Sequence, residues 1–216
     1  MDRLDVASFT VGPFRENCYL VRRADAGAAV LVDPGDEAER LIEEIAARGV
    51  TVGAILLTHT HIDHIGAVAA LAHATGAPVY CPTLEHEILA DIDASVGWLG
   101  LAGFESYDAD ELLGGGEHLE IAGLEIDVVF TPGHSPGHLT YALPESETLL
   151  VGDVLFRGSV GRVDLPGGDA AALMQSIATL LDAYPPHTLV LPGHGPQTSL
   201  QEERRSNPFL TELATR

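Results

Sequence analysis

The chain has 216 residues, enough to bury a sizeable core in one domain, and spans 1–216 read as a single domain. Its 32 acidic and 11 basic residues leave a formal charge of −21, and every basic residue is an arginine. A phosphate backbone needs a basic surface, so nucleic acid is excluded as a partner. No run of about eighteen apolar residues is present to span a membrane, so no membrane role is expected.

In chain order, Leu4 to Val11, Cys18 to Val21 and Ala28 to Asp33 read as opening strands. Asp33-Pro34-Gly35 then ends a strand, and Asp33 either braces a ligand histidine or starts a turn that caps the next helix. Glu37 to Arg48 carries Leu41, Ile42 and Ile45 at helical spacing and stops at Gly49. The apolar run Ala54 to Leu57 leads into His59-Thr60-His61-Ile62-Asp63-His64, three imidazoles and a carboxylate within six residues. Such donors suit zinc, iron or manganese. His59 and His61, two apart on an extended segment, point the same way, whereas Asp63 and His64 fall where the chain turns toward a helix. One loop can therefore serve two metals.

Ile65 to Thr75 follows as a small-residue helix stopped by Gly76, and Glu120 to Phe130 as a hairpin turning near Gly123. Val128-Val129-Phe130 reads as a buried strand running into Pro132-Gly133-His134. Thr148 to Val151 is another, ending at Gly152-Asp153, and Leu189 to Leu191 a third, ending at Pro192-Gly193-His194. Each delivers one ligand at a strand's carboxyl end, where open α/β sheets gather their sites. Ala170 to Tyr184 is a late helix with Leu173, Ile177, Leu180 and Leu181 on one face.

With these motifs, from about Val6 to His194, the chain resembles the metallo-β-lactamase fold superfamily. More narrowly it is similar to the compact bacterial type of glyoxalase II (hydroxyacylglutathione hydrolase). The resemblance implies an α/β fold, a four-layer αββα sandwich of two mixed sheets flanked by helices. It implies one metal on His59, His61 and His134, a second on Asp63, His64 and His194, and Asp153 bridging both. The cofactors are then two divalent ions, zinc foremost, iron or manganese as alternatives. A hydroxide shared by two such ions forms near neutral pH because water's pKa drops from ~16 toward ~7. Asp63 can orient it for attack on a thioester carbonyl, and the departing thiolate suits a metal.

The implied substrate is a small-molecule thioester, a glutathione conjugate such as S-lactoylglutathione being the family example. This sequence departs from the glyoxalase II pattern there. Arg162 stands where that pattern has lysine, Asp164 and Pro196 where it has tyrosines, and only 22 residues follow His194, too few for the helical glutathione-binding domain. Arg162 and Arg157 are candidates to hold a substrate anion, with structural salt bridges as the alternative for each. Persulfide dioxygenases also resemble the chain and use one iron on the positions of His59, His134 and Asp153. Their Thr-Asp-Phe after a Gly-Arg pair is Val163-Asp164-Leu165 here, which favours the hydrolase. A non-catalytic redox partner would carry an appended flavin or rubredoxin-like domain, and the sequence shows none. A β-lactamase reading is disfavoured because those enzymes usually lack the bridging carboxylate.

The remaining candidates are quieter. His138 reads as a turn residue or a support behind the ligands, Trp98 as lining the pocket mouth or plain packing, and His73, His86, His118 and His187 as without function. Cys18 and Cys81 form no CxxC pair and read as free or buried thiols. The start Met1-Asp2-Arg3-Leu4-Asp5 lacks signal-peptide character, so a cytoplasmic location is expected. Oligomeric state is not readable.

Overall fold

A computed structural model describes residues 4–97 and 100–210. The first half of the chain forms a mixed six-stranded sheet in the order β1-β2-β3-β4-β5-β6: Leu4–Val11, Glu16–Arg23, Ala28–Val32, Thr51–Leu56, Val79–Pro82 and Glu111–Leu113. β1 to β3 pair antiparallel and β3 to β6 parallel. The parallel pairings are joined through helices: α1 (Ala38–Ala47) between β3 and β4, α2 (Ile62–Ile65) and α3 (Val68–Thr75) between β4 and β5, and α4 (His86–Ala90) and α5 (Ile92–Val96) between β5 and β6.

The second half repeats the plan. β7 (His118–Ile121), β8 (Leu124–Phe130), β9 (Leu139–Leu143), β10 (Thr148–Gly152), β13 (Leu189–Pro192) and β14 (Thr198–Ser199) form a sheet in the order β14-β13-β10-β9-β8-β7. Only β10 and β13 run parallel, joined through α6 (Ala170–Ala183). A small hairpin, β11 (Leu155–Phe156) with β12 (Ser159–Val160), precedes α6, and α7 (Leu200–Ser206) follows β14.

Side-chain alternation along the strands builds three apolar layers. Cys18, Leu20, Ala29, Leu31 and Ile55 face Leu41 and Ile45 of α1 and Leu71 of α3. Their strand neighbours Tyr19, Val21, Val30, Val32 and Leu56 turn the other way, onto Ile126, Tyr141 and Leu150 of the second sheet. Beyond that sheet, Leu149, Val151 and Val190 meet Leu173, Ile177 and Leu180 of α6. Helices, sheet, sheet, helices: the sandwich has the four layers that the resemblance implies.

Two expectations change. The single helix over Ile65 to Thr75 is two, because at Gly66 and Ala67 the chain bends to meet the β3–α1 turn, where the Ala67 amide donates to Pro34 O at 3.0 Å. Asp63 and His64 therefore ride on a separate one-turn helix. The run Val128 to Phe130 is only partly buried. Val128 faces the inter-sheet core, but Phe130 is 43% exposed, since β8 lies next to the sheet's edge strand. Trp98 lies outside the described residues. Among the described residues, no helix is long and apolar enough to cross a membrane.

Candidate metal centre

The ligand candidates lie where β4, β8, β10 and β13 end, along one rim of the sandwich. The β4–α2 loop brings His59, His61, Asp63 and His64. The turn after β8 brings His134, the end of β10 brings Asp153, and the turn after β13 brings His194. His61 Nδ1 lies 3.2 Å from His59 Nε2 and 2.8 Å from His134 Nε2. His194 Nε2 lies 3.2 Å from Asp63 Oδ2. His59, His61 and His134 thus form one group able to hold a metal ion, and Asp63, His64 and His194 another. Asp153 lies between them: its Oδ2 is 3.5 Å from both His134 Nε2 and His194 Nε2, and its Oδ1 is 3.4 Å from His64 Nε2.

The hydrogen bonds behind the rings aim them. Asp33 leaves β3 with φ 50° and accepts from the Thr58 amide and hydroxyl, each at 2.7 Å, and from His64 Nδ1 at 3.0 Å. With its proton given to Asp33, the Thr58 hydroxyl accepts from His59 Nδ1 at 3.0 Å. His134 Nδ1 donates to Arg162 O at 2.8 Å. In all three rings Nδ1 carries a proton, and Nε2 is turned toward the centre. A third grouping of Asp33 with His59 and His64 is spatially close but chemically spent, because both Asp33 oxygens are already accepting.

His138 holds a quieter post. The Asp153 amide donates to its Nε2 at 3.1 Å, so its Nδ1 donates to Thr131 Oγ1 at 3.1 Å. His138 therefore fixes the backbone that carries Asp153.

Electrostatics differ between the two groups. Burial and the surrounding imidazoles hold His59 well below the usual histidine range, and burial with His134 nearby pushes His61 down to about 4. Burial opposes protonation of His64 and His194 as well, but carboxylates prevail. Asp153 and Asp33 raise His64 well above the ordinary value, and the hydrogen bond from His194 to Asp63, together with the charge of Asp153, raises His194. Asp63 and Asp153 stay ionised against the cost of burial, Asp63 chiefly through His194 and Asp153 chiefly through His64. The donor set fits divalent metal ions. His64 Nε2 and Asp153 Oδ1 are buried without a hydrogen-bond partner, an arrangement that costs free energy unless a cation satisfies both.

Glycines permit the close packing. A Cβ at Gly193 would overlap Asp153 Oδ1 and His64 Cε1. At Gly133, which has φ 135°, a Cβ would overlap the backbone of Leu173 in α6. Both Pro-Gly-His turns thus need glycine ahead of the histidine.

Three further residues that motif spacing does not reveal complete the frame. Glu85, buried, accepts from the Thr60 amide at 2.8 Å and from the Gly137 amide at 2.7 Å, clamping the β4–α2 loop to the turn that carries His134. Asn17 donates its side-chain amide to Pro192 O and Gly195 O, and Tyr19 its hydroxyl to Pro192 O, so β2 staples the turn of His194. A lone Glu, Asn or Tyr outside any spaced motif carries no sequence signal for such work.

The predicted substrate arginines fare differently. Arg162 lines the cavity over the centre, but its guanidinium forks onto Asp164 at 2.7 and 2.8 Å, and its main contribution to the site is the carbonyl behind His134. Arg157 is exposed and outside that cavity. The cavity encloses about 490 Å³, with His61, Asp63, His134, Asp153 and His194 in its floor and Phe14, Ile62, Ile88, Phe156, Val160 and Leu165 among its walls.

Comparison with known proteins accounts for this arrangement. Residues 11–194 match the metallo-β-lactamase superfamily. The chain is 42% identical to the probable metallo-hydrolase YqgX of Bacillus subtilis, over 93% of this chain and 94% of that one. It is 34% identical to the hydroxyacylglutathione hydrolase GloC of Haemophilus influenzae, over 96% and 98%. Among solved structures, the B3 metallo-β-lactamase BLEG-1 superposes with TM-score 0.90 at 40% identity, covering 96% of this chain and 100% of that one. TTHA1623, solved in a di-iron-bound form, superposes with TM-score 0.86 at 45% identity, covering 95% and 100%. With the four-layer sandwich and its rim of histidines and aspartates, the chain belongs to the metallo-β-lactamase superfamily.

Proposed function

We propose that the protein is a metal-dependent hydrolase that cleaves a thioester, with His59, His61 and His134 holding one divalent ion, Asp63, His64 and His194 a second, and Asp153 bridging the two. The observation that carries the proposal is the position of Asp153, whose Oδ2 is equally distant, at 3.5 Å, from a histidine of each group. Two divalent ions bound there would lower the pKa of a water from ~16 toward ~7, polarise a thioester carbonyl and stabilise the departing thiolate.

The chain's own residues do the rest. Asp63, held ionised at the cavity floor, orients the attacking water. The pairs Asp33–His64, Thr58–His59 and Arg162 O–His134 lock ring orientation. Ile62, Phe156 and Val160 exclude bulk water around the reacting carbonyl. The names of the relatives support hydrolysis, and GloC supports a thioester. Mixed imidazole and carboxylate donors accept zinc, iron or manganese. BLEG-1's name favours a second reading, hydrolysis of a β-lactam amide in the same cavity.

The test is to count metals per chain on the purified protein and then assay S-lactoylglutathione, a chromogenic cephalosporin, and oxygen uptake with glutathione persulfide. Two metals with thioester cleavage are expected. One iron with oxygen consumption overturns the proposal in favour of a persulfide dioxygenase, and cephalosporin cleavage without thioester cleavage favours the second reading. His61→Ala separates the two-metal hydrolase, which it should cripple, from a one-iron enzyme built on His59, His134 and Asp153.

A further inference from the structure

The cavity above the metal centre has charges and walls of its own, and they bear on which thioester enters. Its walls are mainly aliphatic and aromatic, from Phe14 of the β1–β2 turn, Ile62 beside the histidine loop, Ile88 of α4, Phe156 and Val160 of the β11–β12 hairpin and Leu165 beyond it, with the hydroxyls of Ser95 and Ser159 between them. Arg162 is the one lysine or arginine among its lining residues, and both arms of its fork are taken by Asp164 two residues on. The pair is exposed, so it contributes little to stability. Its consequence is local: the one arginine among the described lining residues arrives with its own anion. The whole chain carries −21, which adds a long-range repulsion against negative ligands.

Resting on the thioesterase reading, we infer that the cavity selects thioesters whose acyl and thiol arms are apolar and uncharged, and disfavours those whose thiol is an anionic peptide such as glutathione. Glutathione conjugates bring two carboxylates and one ammonium. Among the described lining residues the carboxylates find no unengaged guanidinium, and burying them against Phe156, Val160 and Leu165 without a partner is costly. An aliphatic acyl chain on a small neutral thiol removes apolar surface from water on the same walls at no such cost.

The proposal is tested by binding before any chemistry. Two thioethers, neither of which can be hydrolysed, carry the same hexyl arm: S-hexylglutathione and the neutral S-hexyl-N-acetylcysteamine. Calorimetry on the metal-loaded protein should find the neutral probe tighter by roughly tenfold. Asp164→Asn, which frees Arg162, should tighten S-hexylglutathione by about threefold to tenfold and leave the neutral probe unchanged. Equal affinities, a preference for S-hexylglutathione, binding of neither probe, or an equal effect of Asp164→Asn on both overturns the inference. Hydrolysis of the hexanoyl thioesters of the same two thiols is measured separately. Cleavage of neither overturns the thioesterase reading, while the binding order still decides the preference of the cavity.

Discussion

At the scale of single residues, the centre depends on atoms that never face it. Asp33 accepts from Thr58 and from His64, and through Thr58 it also sets the ring of His59. Asp33→Asn keeps the shape but turns an acceptor into a donor where His64 needs an acceptor. It should weaken metal binding roughly 10–100-fold, read by competition with a chelator of known affinity. The two groups should also differ in their traffic with protons. His59 and His61 are held neutral in the metal-free protein, whereas His64 and His194 have raised values and keep their protons to higher pH. A raised histidine favours the protonated state below its folded pKa, so an incoming ion must displace that proton. Filling at neutral pH should therefore release protons mainly in the second metal equivalent. As pH falls the stoichiometry should drop from two to one before it reaches zero, measured by metal analysis after equilibration at each pH. Cys18 and Cys81 are both fully buried, and burial pushes the Cys81 thiol up to about 12. Neither should react with a thiol reagent until the protein is unfolded, when both should.

At the scale of elements, what matters is how strands from different parts of the chain hold one loop. Tyr141 of β9 is fully buried between the sheets and donates to Leu57 O at 2.7 Å, two residues before His59. Tyr141→Phe leaves that carbonyl without its partner and should cost about 1–3 kcal/mol in denaturant-induced unfolding, with m unchanged. The parts of this scaffold legible in the sequence were those where pattern and chemistry coincide. The strand ends carrying His59, His134, Asp153 and His194 announce themselves because an apolar run followed by a tight turn and a metal donor has few other uses. α1 and α6 were legible from helical spacing, Leu41 with Ile45 and Leu173 with Ile177 both lying on buried faces. The division of α2 from α3 was not, because Ile65 to Thr75 is an unbroken small-residue pattern and the bend comes from a contact with Pro34, thirty-three residues away from Ala67. β6, three residues long, and the clamp of Glu85 were invisible for the same reason: only the tertiary neighbours give them meaning.

At the scale of the molecule, charge and core pull in opposite directions. Three apolar layers bury side chains on both faces of each sheet, while 32 acidic residues against 11 basic ones repel across the surface. Salt screens that repulsion within ~8 Å at physiological ionic strength, so raising sodium chloride from low concentration should raise the melting temperature, by roughly a few degrees for each 1 kcal/mol recovered. A flat or falling melting temperature would place the excess acid in favourable pairings instead.

The staple from Asn17 and Tyr19 to the Pro192–Gly195 turn joins residues up to 178 positions apart. The centre also draws on both halves of the fold, from His59 to His194. A ribosome must release the residues through His194 before the last donors can meet the first. Until then only the first group, His59 and His61 with His134, has all its members. A chain cut short just before β13 would carry the first group and Asp153 but lack His194, and with it the second group.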